Sequence, residues 1–433
     1  MSAFAETLSE RERRRARVHA YFACCFGCIS EVMLDSSAIV ILYIGMLGGS
    51  SMLAMLTTGF SGFLSMLTMI PCVALIERFG MRRSVVMACL VACFGLVLMG
   101  MAPWFGPLRL PVAVVGCLAY CLQRSLYGVA WFPMLDAFLR PQDRGSFFGT
   151  MRYSYMLLSG AIFFLFGKLM GKEPPLWMMQ AMVAGAGFLV LGRLYCMMQF
   201  PEDKRERPAG RPLREALMIS VRNGPLTGYA VYACLLTIAF SSIIPLTLLY
   251  LKNEVRLPSG EVQIFSTIGI LGNVVAYAAY GYMLKKLKIK RMELFAHSVF
   301  ILTALALFCA SPAAKGFLWI AGISYFMCAF AAACFNCSNS AEMLSLARPG
   351  NKPMASAFVQ TYQSIGACFA RSSCALVLGS GMLAGNWSAR GCVFSSYQTL
   401  FLVCGVVALL LLILLPTLPA VVPRHQDYYE PMR

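Results

Sequence analysis

The sequence predicts an all-α integral membrane protein of twelve transmembrane helices, arranged as two six-helix lobes related by a pseudo-two-fold axis. Three observations predict this fold. The 433-residue chain is 59% hydrophobic and only 13% charged, against about 25% charged in a soluble protein. Long uncharged runs recur from Val18 to Pro416, and a helix needs ~20 apolar residues to cross hydrocarbon. Two basic turns repeat at one offset: Glu77 and Lys285 are 208 positions apart, and so are Arg140-Pro141 and Arg348-Pro349. One half therefore reads as duplicated, and only helices satisfy their own backbone in lipid.

Taken in order, residues 1–17 form a basic arm, read as a short helix lying on anionic lipid. The first span covers Val18 to Leu47 and stops at Gly48-Gly49-Ser50-Ser51. The second ends at Ile76, before the turn Glu77-Arg78-Phe79-Gly80-Met81-Arg82-Arg83, which is too charged for hydrocarbon and marks a membrane surface. The third is Val85 to Ala102, closed by Pro103, and the fourth runs from Leu110 to Leu139. The fifth is Phe147 to Met170 and the sixth Leu176 to Phe200, which completes a lobe at 18–200. The stretch 201–225 is rich in mixed charge, Pro and Gly and reads as the linker, with a short surface helix over Leu213–Val221. Spans seven to twelve begin near Leu226, Gly260, Met292, Gly316, Met354 and Tyr397, giving a second lobe at 226–416 and a tail at 417–433.

The net charge of +17 raises nucleic acid as a partner, but its distribution points elsewhere. With the N-terminus placed in the cytoplasm, 26 of the 36 Lys and Arg fall in loops on one side and 7 on the other. Arg124, Arg193 and Arg371 lie within helices. This is positive-inside asymmetry, with both termini cytoplasmic in a multi-pass protein of the plasma (inner) membrane. No nucleic-acid partner is expected. The 18 cysteines lie mostly inside apolar helices and read as packing residues, not a disulfide framework. No metal site or cofactor is expected, and no nucleophile–base pair or phosphate loop suggests an enzyme.

The turn after the second span resembles motif A of the major facilitator superfamily, loosely Gly-x-Leu-x-Asp-Arg-x-Gly-Arg-Arg. Leu75, Arg78, Gly80 and Arg82 match, while Val73, Glu77 and Met81 replace the first Gly, the Asp and one Arg. The second copy keeps Gly281 and its basic charge but carries Lys285 at the acidic position. Arg124-Ser125-Leu126-Tyr127-Gly128 resembles the Arg-x-x-Gln-Gly core of motif B, and Asp136 with Arg144-Gly145 and Gly149 resembles the lead into the fifth helix. The resemblance covers nearly the whole chain. It implies the major facilitator fold and a transporter, usually monomeric, working by alternating access. It also implies a gating latch in which Glu77, Arg78, Gly80, Arg82 and Arg83 act with Asp136 and Arg144.

Ionisable residues at mid-membrane are costly and mark function. Glu31 and Asp35 lie four apart on one face of the first span, Arg124 near the centre of the fourth and Arg371 near the centre of the eleventh. Glu31 or Asp35 is expected to meet Arg124. Protonation of the acid dissolves such a pair and releases the Arg, so these three are candidates for proton coupling, with a permanent ion pair as the alternative. Arg371 shows no acidic partner in its own helix and is read as a substrate anchor with Asn336, Asn339 and Gln363, or as pairing across the lobes with Glu31 or Asp35. Arg193 is read as snorkelling towards the inner surface.

The expected activity is proton-coupled symport of a small polar or anionic solute. The alternatives are a proton-coupled exporter of drugs or lipophilic compounds and, more remotely, a membrane sensor that moves nothing. The fifth span lacks the Gly-Pro-Gly-Gly of drug antiporters and the seventh the paired Gln of sugar porters, which leaves the solute open.

Overall fold

A computed structural model describes residues 7–139, 144–201, 212–348, 351–383, 386–389 and 392–415. Arg140, the charged centre of the linker (202–211) and the tail beyond 415 lie outside them. Among the described residues, nine stretches are long and apolar enough to cross a membrane. Two of these, Met81–Trp131 and Ser259–Cys309, are 51 residues each and contain a reversal, at Gly106 (φ 56°) and at Lys288 (φ 59°) respectively.

The first span is two helices, α1 (Glu10–Asp35) and α2 (Ile39–Met46). It starts earlier than the sequence suggested, because Ser9 and Glu12 form a reciprocal capping box at its start. Residues 10–17 of the basic arm are thus the first two turns of α1 and not a separate surface helix. Arg13 is buried there, 2.8 Å from Glu10, and Arg17 lies 2.7 Å from the same carboxylate. The break at Ser36–Ala38 frees backbone groups one residue beyond Asp35. After α2 come α3 (Ser51–Phe79), α4 (Met81–Met101), α5 (Arg109–Asp136), α6 (Arg144–Met170), α7 (Leu176–Met197), the short α8 (Leu213–Val221), α9 (Gly224–Phe240) and α10 (Ile243–Asn253). The seventh span breaks as the first does, at Ser241–Ser242 between α9 and α10. Then follow α11 (Ser259–Cys309), α12 (Phe317–Leu346), α13 (Lys352–Ser380), a hairpin of β1 (Asn386–Ala389) with β2 (Cys392–Ser395), and α14 (Ser396–Leu414).

Two packings join the halves: α3 lies along α13, and α6 along α11. Both need small residues. A Cβ on Gly62 of α3 would come 3.1 Å from the backbone of α13, and one on Gly260 of α11 would come 2.4 Å from the carbonyl of Gly171. The linker helix α8 docks on the second half, where Asn351 Nδ2 donates to Ala216 O and Ser220 Oγ, both at 3.0 Å.

The duplication is visible in the backbone. Gly80, between α3 and α4, has φ 83° and ψ 153°; Lys288, 208 positions later, has φ 59° and ψ 164°. The same reversal is made twice, once by the residue suited to it and once by one that is not.

At the end of the bundle away from the basic turns, the halves are tied directly. Ala38 N donates to Gln263 Oε1 (3.0 Å), Asn253 Nδ2 to Ser51 Oγ (3.0 Å), Tyr325 Oη to Ser36 O (3.4 Å) and Gly260 N to Gly171 O (2.8 Å). The carbonyl of Ser36 and the amide of Ala38, freed by the break after Asp35, thus find partners on the other half.

Candidate functional site: paired charges in the bundle interior

Asp35 ends α1, and Arg124 lies midway along α5. The Nη1 of Arg124 is 2.8 Å from Oδ1 and 2.6 Å from Oδ2 of Asp35. Both side chains remain about a quarter exposed, Arg124 at 26% and Asp35 at 30%, so the pair borders open space rather than sealed core.

Glu31 does not share Arg124. One turn deeper, it meets Arg193 of α7, with Nη1 2.6 Å from Oε1. The expected snorkelling of Arg193 is therefore corrected: its side chain is 2% exposed and turns inward. The cause is local. Gly27 lies one turn before Glu31 on the same face of α1, and a Cβ there would fall 1.6 Å from the guanidinium carbon. The missing side chain makes the slot. Arg193 also donates from Nε to Ala23 O (3.2 Å) and lies 4.2 Å from the centre of the Tyr127 ring, a cation–π stack.

Arg371 finds no carboxylate partner within bonding distance among the described residues. Its Nε donates to Ser241 O (3.3 Å), a carbonyl at the break between α9 and α10, and its Nη1 donates to Thr58 O of α3. Among the described residues Asp35 attracts its charge and Arg124 repels it, which links these three groups across both halves. Asn339 Nδ2 donates to Gln363 Oε1 (3.2 Å), while Asn339 Oδ1 is buried without a partner among the described residues. Asn336 is exposed, one helical turn away from them.

A cavity of about 140 Å³ adjoins the Glu31–Arg193 pair. Its walls are Cys24, Cys28 and Glu31 of α1, Tyr127 and Trp131 of α5, Phe148, Met151, Arg152 and Tyr155 of α6, and Arg193. Arg152, which the sequence reading placed with the loops of the basic side, instead lines this interior space. It donates to Cys337 Sγ of α12 and lies 5.6 Å from the Tyr277 ring of α11.

Two other buried acids lie in the second half. Glu293 accepts a 2.9 Å hydrogen bond from Tyr229 Oη, and Glu342 of α12 is 5% exposed. Glu293 escaped sequence reading because it abuts the basic run ending at Arg291 and reads as part of that surface turn.

At the motif-like turn, Arg82 Nη2 donates to Met198 O (2.7 Å), the capping residue of α7. Arg78 lies 5.5 Å from the Phe79 ring. Gly80 is exposed and Arg83 leaves its charge at the surface. The side chains of Glu77, Asp136 and Arg144 lie outside what the structure describes. Among the described residues no group of three or more His, Cys, Asp or Glu could hold a metal ion.

Comparison with known proteins places this geometry. A family model described as Major Facilitator Superfamily matches residues 13–370. A search of curated proteins gives no match. Among solved structures, the fold is similar to that of a D-xylose-proton symporter, at 12% identity and a TM-score of 0.73, covering 96% of this chain and 98% of that one. It is also similar to a mutant of the nucleoside transporter NupG, at 11% identity and a TM-score of 0.70, covering 95% and 100%. A third is a POT family transporter in complex with 5-aminolevulinic acid, at 12% identity and a TM-score of 0.67, covering 94% and 97%. At these identities the likeness concerns the fold.

Proposed function

Since the chain belongs to the major facilitator superfamily, we propose that it is a secondary active transporter that imports a small polar or anionic solute with protons. It crosses the plasma (inner) membrane twelve times as two six-helix lobes, with the basic turns and both termini on the cytoplasmic side, and works as a monomer. The observation that carries the coupling is the Asp35–Arg124 pair at a break in the first span, beside Arg371. Discontinuous helices supply such sites in secondary transporters.

Among the described residues, Arg124 pairs with Asp35 and Arg193 with Glu31, and Arg371 and Arg152 are further cations of this region. Protonation of Asp35 removes its attraction for Arg124 and for Arg371, which holds the break of the other half through Ser241 O. The proton thereby weakens a tie between the halves. Glu31, paired with Arg193, is a second proton site, and both acids keep their roles in coupling. Arg371 commits donors to backbone carbonyls, which favours charge balance around Asp35 over solute capture. The free Oδ1 of Asn339, with Gln363 behind it and Asn336 nearby, supplies a polar contact for the solute.

The test begins with a panel of sugars, organic acids, amino acids and phosphates screened for thermal stabilisation of the purified protein, since a ligand of the folded state raises stability by mass action. The stabilising solute is then offered to proteoliposomes with an imposed pH gradient. Wild type accumulates it uphill. Asp35→Asn loses accumulation but retains counterflow. Unchanged accumulation in both Glu31→Gln and Asp35→Asn overturns the coupling scheme.

A further inference from the structure

We propose that the cavity bounded by α1, α5, α6 and α7 is a binding site for a small monocarboxylate with a single ring or a branched apolar body, anchored by Arg152. This rests on the transporter reading and adds the class of solute.

The charge balance of the cavity points to an anion. Among the described residues its charged lining groups are Glu31, Arg193 and Arg152. Glu31 and Arg193 neutralise one another at 2.6 Å. Arg152 pairs with no carboxylate among the described residues; its neighbours are the Cys337 thiol and the Tyr277 ring. A guanidinium in a membrane interior without a counter-ion is costly, and one carboxylate with two acceptor oxygens matches its forked donors. The net charge of one specifies a monoanion.

The walls specify the rest of the molecule. Tyr127, Trp131, Phe148 and Tyr155 present rings, and Tyr127 is already covered on one side by Arg193 at 4.2 Å. The volume, about 140 Å³, is close to the roughly 150 Å³ cavity that holds one benzene molecule. A sugar would leave most of its hydroxyls unpaired against these rings, at a cost for each.

Occupancy reaches the second half through Arg152 itself. Its guanidinium crosses from α6 to Cys337 of α12 and Tyr277 of α11. A carboxylate that engages those donors competes with the cross-half contact, so solute binds the arrangements of the halves unequally, as any ligand that shifts a conformational equilibrium must.

Benzoate is the probe, with benzamide as its neutral counterpart of similar shape. Thermal stability of the purified full-length protein is titrated with each at constant ionic strength. Benzoate is expected to raise the melting temperature saturably with a Kd tighter than about 1 mM, and benzamide to bind at least tenfold more weakly. Arg152→Gln should weaken benzoate at least tenfold, while Arg152→Lys, which keeps the charge but loses the fork, should fall between Arg152→Gln and wild type. Equal binding of benzoate and benzamide by wild type overturns the proposal without any variant having to fold. So does unchanged benzoate affinity in Arg152→Gln, or no benzoate binding to wild type. The readout is binding, whereas the transport reading stands or falls on uphill accumulation in the Glu31 and Asp35 variants. Failure of one is therefore seen separately from failure of the other.

Discussion

Arg193 shows what one side chain decides in this bundle. It is 2% exposed, bonded to Glu31 at 2.6 Å, and sits in a slot opened by Gly27. Removing one member of a buried pair leaves the other uncompensated, at a cost of about 3 kcal/mol. Arg193→Gln is expected to destabilise the protein by that order, and the double variant Glu31→Gln with Arg193→Gln by clearly less than the sum of the singles, because both act on one interaction. Additive thermal shifts would show the pair to be energetically idle. Gly27→Ala should mimic Arg193→Gln without touching a charge, since its Cβ takes the place of the guanidinium. At this scale the sequence revealed which residues matter more readily than whom they meet. Glu31, Asp35, Arg124 and Arg371 stand out because a charge within an apolar run is costly to bury and persists only where it has a partner or a task. That Asp35 takes Arg124 and Glu31 takes Arg193 depends on the rotation of α1 and the depth of α7, which linear position does not encode. Arg193 lies four residues before the end of α7 and so read as reaching for the surface. The hint that it turns inward was Gly27, one turn from Glu31.

Elements carry the duplication more clearly than side chains do. Lys288 holds φ 59° and ψ 164°, a region nearly reserved for glycine, where other residues lose of order 1–3 kcal/mol. Its counterpart Gly80 adopts the same turn freely. Lys288→Gly is therefore expected to stabilise the protein by about 1 kcal/mol, measured as a higher unfolding temperature; Gly80→Lys should do the reverse. The first turn of α1 has its own pH dependence. The hydroxyl of Ser9, then its backbone N–H, hold the Glu12 carboxylate below its ordinary range. A depressed acid contributes its cap fully above the unfolded value and loses it as pH falls through the folded one. Amide exchange over Glu10–Arg13 should thus accelerate on acidification beyond its intrinsic trend, and Ser9→Ala, which keeps only the backbone donor, should weaken that dependence. Spans, linker helix and basic turns were legible from hydropathy and the 208-residue offset. The breaks at Ser36–Ala38 and Ser241–Ser242 were not. No Pro or Gly marks the first, which exists because Gln263 and Tyr325 on other helices satisfy the freed backbone groups; the second is followed by Pro245, which has no N–H for the Ser241 carbonyl four residues back and leaves it to Arg371.

For the whole molecule, the alternating access proposed above requires that the ties at one end be breakable together. The closed end combines hydrogen bonds from Ala38 to Gln263, Asn253 to Ser51 and Tyr325 to Ser36 with a backbone contact at Gly171 and Gly260. The hydrogen bonds can exchange with water when the end opens, so each contributes modestly. The glycine contact differs, because it sets how near α6 and α11 approach, and a Cβ on Gly260 would meet carbonyl oxygens at 2.4 and 2.6 Å. Neither oxygen belongs to a flexible side chain, so the strain cannot be relieved locally. Gly260→Val should therefore wedge the halves apart at this end, lengthen the Ala38–Gln263 bond and shift the population towards the arrangement open there. Amide exchange at 36–38 and 259–263 should speed up at least tenfold, corresponding to about 1.4 kcal/mol of lost closure, while exchange at the other end, in the apolar cluster that Met69 and Val73 of α3 form with Met354 and Ala357 of α13, stays as in wild type. Acceleration spread evenly over both ends would mean general destabilisation instead, and the two halves would then not move against one another about the Asp35–Arg124 level.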